Sequence, residues 1–202
     1  MNIIEIGAND GSHTNWFYKN SNVWCFEPNP FYVNLLNNKF LNEDNVNVID
    51  KAVSDFDGFA NFNIASDGLS SSLNELSDFS IKNTKIQYES QILVEVIRMD
   101  TFLYEHNINK IDYLHCDAQG EDLKILKSFG DKISIVQKGK VEVTLRDELY
   151  SNSLNHVNDV ADFLNDNNFE IINWREINMN KKDKYQYDGN LQFCKKNRKM
   201  LI

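Results

Sequence analysis

Apolar and polar positions alternate along the chain in short blocks. Asn2–Ile6 (NIIEI) is an apolar run closed by Gly7, the pattern of a buried strand. Residues 12–20 (SHTNWFYKN) follow as a short helix with Ser12 or Thr14 as its cap. Residues 22–30 (NVWCFEPNP) read as a second strand stopped by two prolines, and Pro30 suits the first turn of a helix over FYVNLLNNKFL. Residues 45–53 (NVNVIDKAV) form a third strand. Strand, helix, strand, helix, strand predicts parallel strands joined by right-handed crossovers. The fold class is therefore α/β, a Rossmann-like, doubly wound, mostly parallel sheet.

The middle of the chain is less regular. FANFNIA (59–65) and QILVEVIRM (91–99) have strand character, and a polar, serine-rich insertion at about 66–90 separates them. A connection of that length inside one domain is functional or mobile, and Ser70–Ser72 would then belong to a lid or an acceptor wall. The parallel pattern resumes with a strand at IDYLHCD (111–117), a helix at QGEDLKILKSF (119–129) and a strand at VQKGKVEVTL (136–145). NHVNDVADFLNDNNF (155–169) is an amphipathic helix. FEIINW (169–174) and NLQFCKK (190–196) are expected to pair as a C-terminal antiparallel hairpin across the KKDKYQYDG loop. No internal repeat is present, and residues 1–202 read as a single domain.

Composition narrows the function classes. A hydrophobic content of 42% in 202 residues is enough for a core. The net charge of −9 argues against a nucleic-acid binder, which neutralises phosphates with clustered Lys and Arg. Lys195, Lys196, Arg198 and Lys199 do gather near the end, as a solvated charged tail. No apolar run reaches the ~20 residues that span a bilayer, so no membrane partner is expected. The sequence opens on IIEIG without a basic leader segment, which with three unpatterned cysteines (Cys25, Cys116, Cys194) points to buried, reduced thiols and a cytoplasmic location.

The chemistry concentrates at EIGANDGSHT, Glu5–Thr14. A strand followed by E-x-G-x-x-x-G and a helix sets a glycine loop at the carboxyl edge of a parallel sheet, where this architecture binds ligands. Three ligand classes compete with a plain strand-to-helix turn. A dinucleotide fingerprint needs G-x-G-x-x-G, and Ala8-Asn9 breaks it. A phosphate loop needs Gly-Lys-Ser/Thr, whereas Gly11 is followed by Ser12-His13. The remaining fit is S-adenosylmethionine, whose carboxylate and ammonium tolerate looser glycine spacing. In that reading Gly7, Ala8, Asn9, Asp10 and Gly11 approach the cofactor and Glu5 meets its ammonium. Glu27, followed by Pro28, ends the second strand about twenty residues after the first glycine, where a carboxylate accepts bonds from both ribose hydroxyls. Asp50-Lys51-Ala52-Val53 ends the third strand, where such folds receive adenine, with Asp50 and Ala52 as the candidates.

EIGANDGSHT, WCFEPNP, IDKAVSDFDG, VIRMDTFL, IDYLHCDAQGEDLKIL, VEVT and DGNLQFCKK, in that order across most of the chain, resemble the FkbM family of S-adenosylmethionine-dependent methyltransferases. The D-x-Q/E-G-x-E element, here Asp117-Ala118-Gln119-Gly120-Glu121, is its most distinctive part beside the first loop. The resemblance implies O-methylation of a hydroxyl on a saccharide, glycolipid or related metabolite. Two positions depart from the family pattern: His115 stands where Lys is usual, and Gln119 where Glu is usual. Both touch the presumed reaction centre, so a cofactor-binding module without turnover is one rival reading. A nucleotide-sugar or NAD enzyme on a similar fold is the other. A start directly on the first strand also predicts a cofactor site that is more open, or completed by another subunit.

Methyl transfer needs an aligned nucleophile and removal of its proton. Asp117 ends the fourth parallel strand beside the expected methyl position. His115 shares its strand parity two residues earlier and is a candidate base. Glu142, on the neighbouring strand, is a candidate for contacting the acceptor. His13, at the mouth of the loop, is a further possible base, whereas His106 and His156 sit in polar surroundings. Asp117, Glu142 and His115 are also the types that ligate divalent metals, but the matched Asp/Asn set of catechol-type enzymes is missing, so no metal is expected.

Overall fold

The computed structural model describes residues 1–145, 149–151, 153–176 and 188–196. Its first strand, β1 (Asn2–Ile6), lies at the centre of the larger sheet. After it come α1 (Thr14–Phe17), β2 (Asn22–Phe26), α2 (Pro30–Lys39) and β3 (Val46–Ile49). The middle of the chain forms β4 (Ala52–Val53), β5 (Gly58–Ala65), α3 (Asp78–Asn83), β6 (Tyr88–Ile97) and α4 (Met99–Glu105). The rest forms β7 (Tyr113–Cys116), α5 (Asp122–Ser128), β8 (Lys138–Thr144), α6 (Val157–Asp166), β9 (Phe169–Glu176) and β10 (Asp188–Lys195).

The larger sheet has the order β3-β2-β1-β7-β8-β10-β9. β3, β2, β1, β7 and β8 are parallel, and β10 runs antiparallel to both β8 and β9. The chain builds outward from β1 to β3 and then returns to lay β7 on the other side of β1. The strand order therefore reverses between β1 and β7, and that reversal opens a crevice at their carboxyl ends. The predicted C-terminal pairing is present as β9 and β10; residues 181–187 of the KKDKYQYDG loop, and Arg198 and Lys199 of the basic tail, lie outside the described residues.

Side-chain alternation divides the core between the two faces of this sheet. Ile4 and Ile6 join Phe26, Leu114, Cys116, Val141 and Val143 in the larger core, against Met99, Phe102, Leu126 and Phe129. Ile3 points the other way, to Val23, Cys25, Leu36 and Phe40 beneath α2. Glu5 shares the parity of Ile3 and is fully buried. A carboxylate buried on a core face is costly unless partnered, which makes its surroundings the first place to look for chemistry.

Several sequence expectations change here. The predicted strand over 45–53 divides: Val46–Ile49 joins the large sheet, while Ala52–Val53 pairs with β6 in a separate three-stranded sheet of order β4-β6-β5. Polar Asp50 and Lys51 interrupt the apolar run, and Lys51 turns to Glu95 of β6 at 2.6 Å. The predicted helix over 12–20 shrinks to one turn of α1 plus a 3-10 turn at Tyr18–Asn20. Neither Ser12 nor Thr14 caps it: His13 stands at the cap position, and the Thr14 hydroxyl goes to Glu5 instead. The helix α4 takes over at Met99, whose side chain is buried with Phe102 and Leu103. Pro30 does occupy the first turn of α2, behind Asn29, whose side chain accepts from the Phe31 N–H at 3.0 Å. Of the three free cysteines, Cys25 and Cys116 are buried as expected, whereas Cys194 is half-buried on β10. No helix among the described residues is long and apolar enough to cross a membrane.

Candidate active site

The glycine loop is set by contacts to β2 and β7. The N–H groups of Gly7 and Ala8 both donate to the Phe26 carbonyl at 3.0 Å, which pulls the end of β1 over the end of β2. Gly7 has φ +79, and a Cβ there would lie 1.9 Å from the Asp117 carbonyl oxygen, so only glycine allows β1 and β7 to approach this closely. Asn9 also has a positive φ of 47, which asparagine tolerates better than most side chains. The residue that breaks the dinucleotide fingerprint thus keeps the turn that a glycine would have made.

Asn9 works in two directions. Its N–H donates to Glu27 Oε2 at 2.8 Å, and its side-chain amide donates to the Gly68 carbonyl at 2.9 Å. Tyr32 of α2 donates to the same carbonyl at 3.0 Å. The insertion expected at about 66–90 is thereby tied across the loop. Ser72 closes it on the other side, donating to the Gln119 carbonyl at 2.7 Å.

These elements enclose a cavity of about 460 Å³ at the carboxyl ends of β1, β2 and β7. That volume is within the roughly 300–1,000 Å³ of small-molecule sites. Gly7, Ala8, Asn9 and Asp10 form one wall, with Ser12 and His13 at the end of the loop. Glu27, Pro28 and Tyr32 line the β2 side, and Lys51, Ala52, Val53 and Phe62 supply a largely apolar end. Gly68, Leu69, Ser71 and Leu73 of the insertion cover it, and Asp117, Ala118, Gln119 and Glu121 form the β7 side. One end offers backbone and carboxylates, and the other is lined mainly by apolar side chains.

Glu27 is 5% exposed, and besides Asn9 it accepts from the Asn29 N–H at 2.9 Å. Burial pushes its carboxyl up to about 7, against the lowering effect of those two backbone bonds. Each oxygen keeps a lone pair beyond its backbone bond, so the carboxylate can still accept from a diol in the cavity.

On the β7 side the chain turns through Asp117–Gly120. Gln119, at φ +52, donates through Nε2 to Asp117 Oδ1 at 2.8 Å and to Glu142 Oε2 at 3.0 Å, while its Oε1 accepts from the Tyr150 hydroxyl at 2.7 Å. The departure from Glu at this position therefore has a structural reason. A neutral amide donates to two carboxylates, whereas a third carboxylate would repel both. Asp122 braces the turn, accepting from the Ala118 N–H at 3.1 Å and from the Asn155 side chain at 2.9 Å. Burial pushes the Asp122 carboxyl up, and the nearby Asp117 charge adds to it. Glu121 binds the Ser54 hydroxyl and meets Lys124 at 2.6 Å, linking this turn to the chain after β4.

The sequence-derived candidates fall into three groups. Gly7, Ala8, Asn9, Asp10, Glu27, Pro28, Ala52 and Asp117 line the cavity. Gly11 and Glu142 stand behind the wall, Gly11 against Leu36 and Phe40, and Glu142 under Gln119. Glu5, His115 and Asp50 are placed elsewhere. Asp50 is exposed, at the break between β3 and β4. Glu5 is turned under the sheet edge to Thr14, His13 and His115, so its carboxylate does not line the cavity. His115 is 2% exposed and also absent from the wall. β7 ends at Cys116, so strand parity does not carry from His115 to Asp117. Tyr32, Phe62, Tyr150 and Asn155 were not singled out in the sequence. Each stands in an unremarkable apolar or polar run.

The Methyltransferase FkbM domain family matches residues 5–171. The 2-O-methyltransferase NoeI of Sinorhizobium fredii is 26% identical over 163 residues, covering 75% of this chain and 66% of that protein. The crystal structure of methyltransferase FkbM from Methylobacillus flagellatus superposes with a TM-score of 0.60 at 14% identity, covering 95% of this chain and 43% of that one. Magnesium protoporphyrin IX methyltransferase from Synechocystis, a structure with bound S-adenosylmethionine, superposes at 0.52 with 10% identity, over 96% of this chain and 69% of that one. The chain thus spans about two thirds of the curated relative and less than half of the FkbM structure. The matched residues run from Glu5 near the end of β1 to Ile171 within β9, and the chain belongs to the FkbM methyltransferase domain family.

Proposed function

We propose that this protein is an S-adenosylmethionine-dependent methyltransferase that methylates a hydroxyl on a saccharide or related small metabolite. The observation that carries this reading is the cavity at the β1–β7 reversal, where the glycine loop, Glu27 and Asp117 meet a slot lined by Ala52, Val53 and Phe62. The loop backbone at Gly7–Asp10 holds the amino-acid end of the cofactor, Glu27 accepts from the ribose hydroxyls, and the Ala52–Val53 side packs on the base. When bound, S-adenosylmethionine supplies an electrophilic methyl group on a sulfonium.

The rest of the work falls to the chain. Displacement at an activated methyl gains most from holding the reactants in line, and the Gly68–Leu73 segment closes the space in which that alignment is made. Asp117 Oδ1 is engaged by Gln119, which fixes the carboxylate and leaves Oδ2 to take the acceptor's proton. Glu142 and Tyr150 hold Gln119 in turn. The kinship to NoeI, a 2-O-methyltransferase, supports oxygen as the acceptor atom, and the saccharide is what the resemblance to the FkbM family implies.

The test has two arms. Calorimetry with S-adenosylhomocysteine is expected to give one saturable site. A panel of glycosides incubated with methyl-labelled cofactor is expected to yield labelled product on at least one hydroxylated member. Binding without product from any acceptor would favour the module without turnover. Binding of NADH, read by fluorescence quenching, in place of S-adenosylhomocysteine would overturn the cofactor assignment.

A further inference from the structure

Glu5, His13 and His115 form a cluster beside the cofactor cavity that the proposed methyl transfer does not use. Glu5 is fully buried, His115 is 2% exposed, and the His13 side chain is 38% exposed. The Thr14 hydroxyl occupies Glu5 Oε2. Glu5 Oε1 has no hydrogen-bond partner, and neither has either ring nitrogen of His115. The Nδ1 atoms of His115 and His13 lie 3.6 and 4.0 Å from that oxygen, and one donor atom from each of the three residues lies within 4.8 Å of the others. The two rings meet at 4.4 Å between centroids and 69° between planes.

A buried carboxylate oxygen and a buried imidazole, both lacking hydrogen bonds and aimed at each other, are an expensive arrangement for a folded protein. Two histidine nitrogens and one carboxylate oxygen are also a familiar donor set for Zn²⁺, which leaves a fourth position open when three protein ligands hold it. Tetrahedral ligands at about 2.0–2.2 Å from the metal sit about 3.4 Å apart, so small side-chain rotations would close this set. We propose that Glu5, His13 and His115 bind one divalent transition-metal ion of the Zn²⁺ type.

The supporting details are local. Thr14 fixes the Glu5 carboxylate with its free oxygen toward the histidines, the role that groups behind a metal's ligands usually have. Lys140, the register neighbour of His115 on β8, is a cation near His13 that opposes a metal, and Asp117 acts in the other direction. His13 also lines the cofactor cavity, so the open metal position would face that space. A metal there could take an acceptor hydroxyl and lower its pKa. That use rests on the methyltransferase reading, whereas metal binding itself does not.

Zn²⁺ titrated calorimetrically into metal-stripped protein tests the site, with Co²⁺ as a spectroscopic probe. The expected result is one saturable site per chain and the visible absorption of four-coordinate Co²⁺. His13→Ala, at a half-exposed position, should weaken Zn²⁺ binding by roughly 100-fold or more, since groups behind the ligands alone account for about 10–100-fold. His115→Gln should do the same, and His106→Ala, on an exposed histidine elsewhere, should change nothing. Thermal unfolding in the absence of metal identifies any variant that has failed to fold. No saturable Zn²⁺ uptake, or equal affinity in the wild type and a folded His13→Ala, would overturn the proposal. Zn²⁺ uptake by a protein that transfers no methyl group would sink the methyltransferase reading and leave the metal site standing. Methyl transfer without uptake would do the reverse.

Discussion

Two polar clusters lie close together at the carboxyl end of the central strands, and they are built on opposite terms. Around Asp117, Gln119 and Glu142 the hydrogen bonds form a chain, amide to carboxylate and hydroxyl to amide, at 2.7–3.0 Å. Around Glu5, His13 and His115 the closest approaches are 3.6 and 4.0 Å, and three buried polar atoms lack hydrogen bonds. The first cluster is organised by the chain itself and needs nothing added to hold its shape. The second keeps its cost until something with positive charge arrives, either a proton or a metal. The cavity adjoins both, so a preorganised cluster and an unsatisfied one lie side by side.

The largest expected effect sharpens the first half of this contrast. Glu27 holds the loop through Asn9 and the start of α2 through Asn29, and in the proposed function it also receives the ribose. Glu27→Ala should weaken S-adenosylhomocysteine binding by tenfold or more by calorimetry, from charge-assisted bonds worth roughly 1.5–3 kcal/mol. His115→Gln, in the unsatisfied cluster and away from the wall, should cost less. Equal losses would dissolve the distinction between the two clusters.

Removing the amide tests whether the satisfied cluster is as organised as it looks. Gln119→Leu deletes three hydrogen bonds and should destabilise the fold by about 1–3 kcal/mol in urea unfolding. Gln119→Glu keeps the shape but sets three carboxylates together, so one of them holds a proton well above its usual range. A carboxyl raised in the folded state gives stability at low pH that disappears as pH rises. The Glu variant should therefore fall further behind wild type at pH 8 than at pH 5.5.

A smaller effect follows from the Glu27 carboxyl, pushed up to about 7 by burial. Its folded value exceeds the ordinary one, so its contribution to stability is full below about 4.5 and is lost as pH rises through about 7. Ligand binding runs the other way, because ribose hydroxyls favour the anion. S-adenosylhomocysteine affinity should rise by up to about tenfold between pH 6 and pH 8, and Glu27→Gln should flatten the profile. The smallest effect concerns the insertion: Tyr32→Phe removes one bond to the Gly68 carbonyl, about 0.5–1.5 kcal/mol, and should speed hydrogen exchange around residues 66–70.

The readable parts of the sequence were those in which one local rule decides. Gly7, Glu27 and Asp117 follow from strand ends and a topological reversal, and Pro30 from helix starts. The departures arise where the decision is made at a distance. Strand parity suggested that His115 and Asp117 share a face, but the strand stops between them at Cys116. The same parity, applied to Glu5, gives its direction beneath the sheet edge with Ile3, away from the cavity. Ala52 and Val53 reach the cavity by leaving the large sheet altogether, a change of partner set by pairing with Val96 and Ile97. Asn9 and Gln119 looked like losses against a motif. Each proves to be a donor with partners 18 to 59 residues away or across two carboxylates, which no local pattern records.

The most direct measurement of the central claim is the crystal structure of the protein with S-adenosylhomocysteine bound. The account predicts both ribose hydroxyls within hydrogen-bonding distance of Glu27, the amino-acid end against Gly7–Asp10, the base beside Ala52 and Val53, and the sulfur near Asp117. A ligand seated elsewhere, or with its ribose turned away from Glu27, would contradict it.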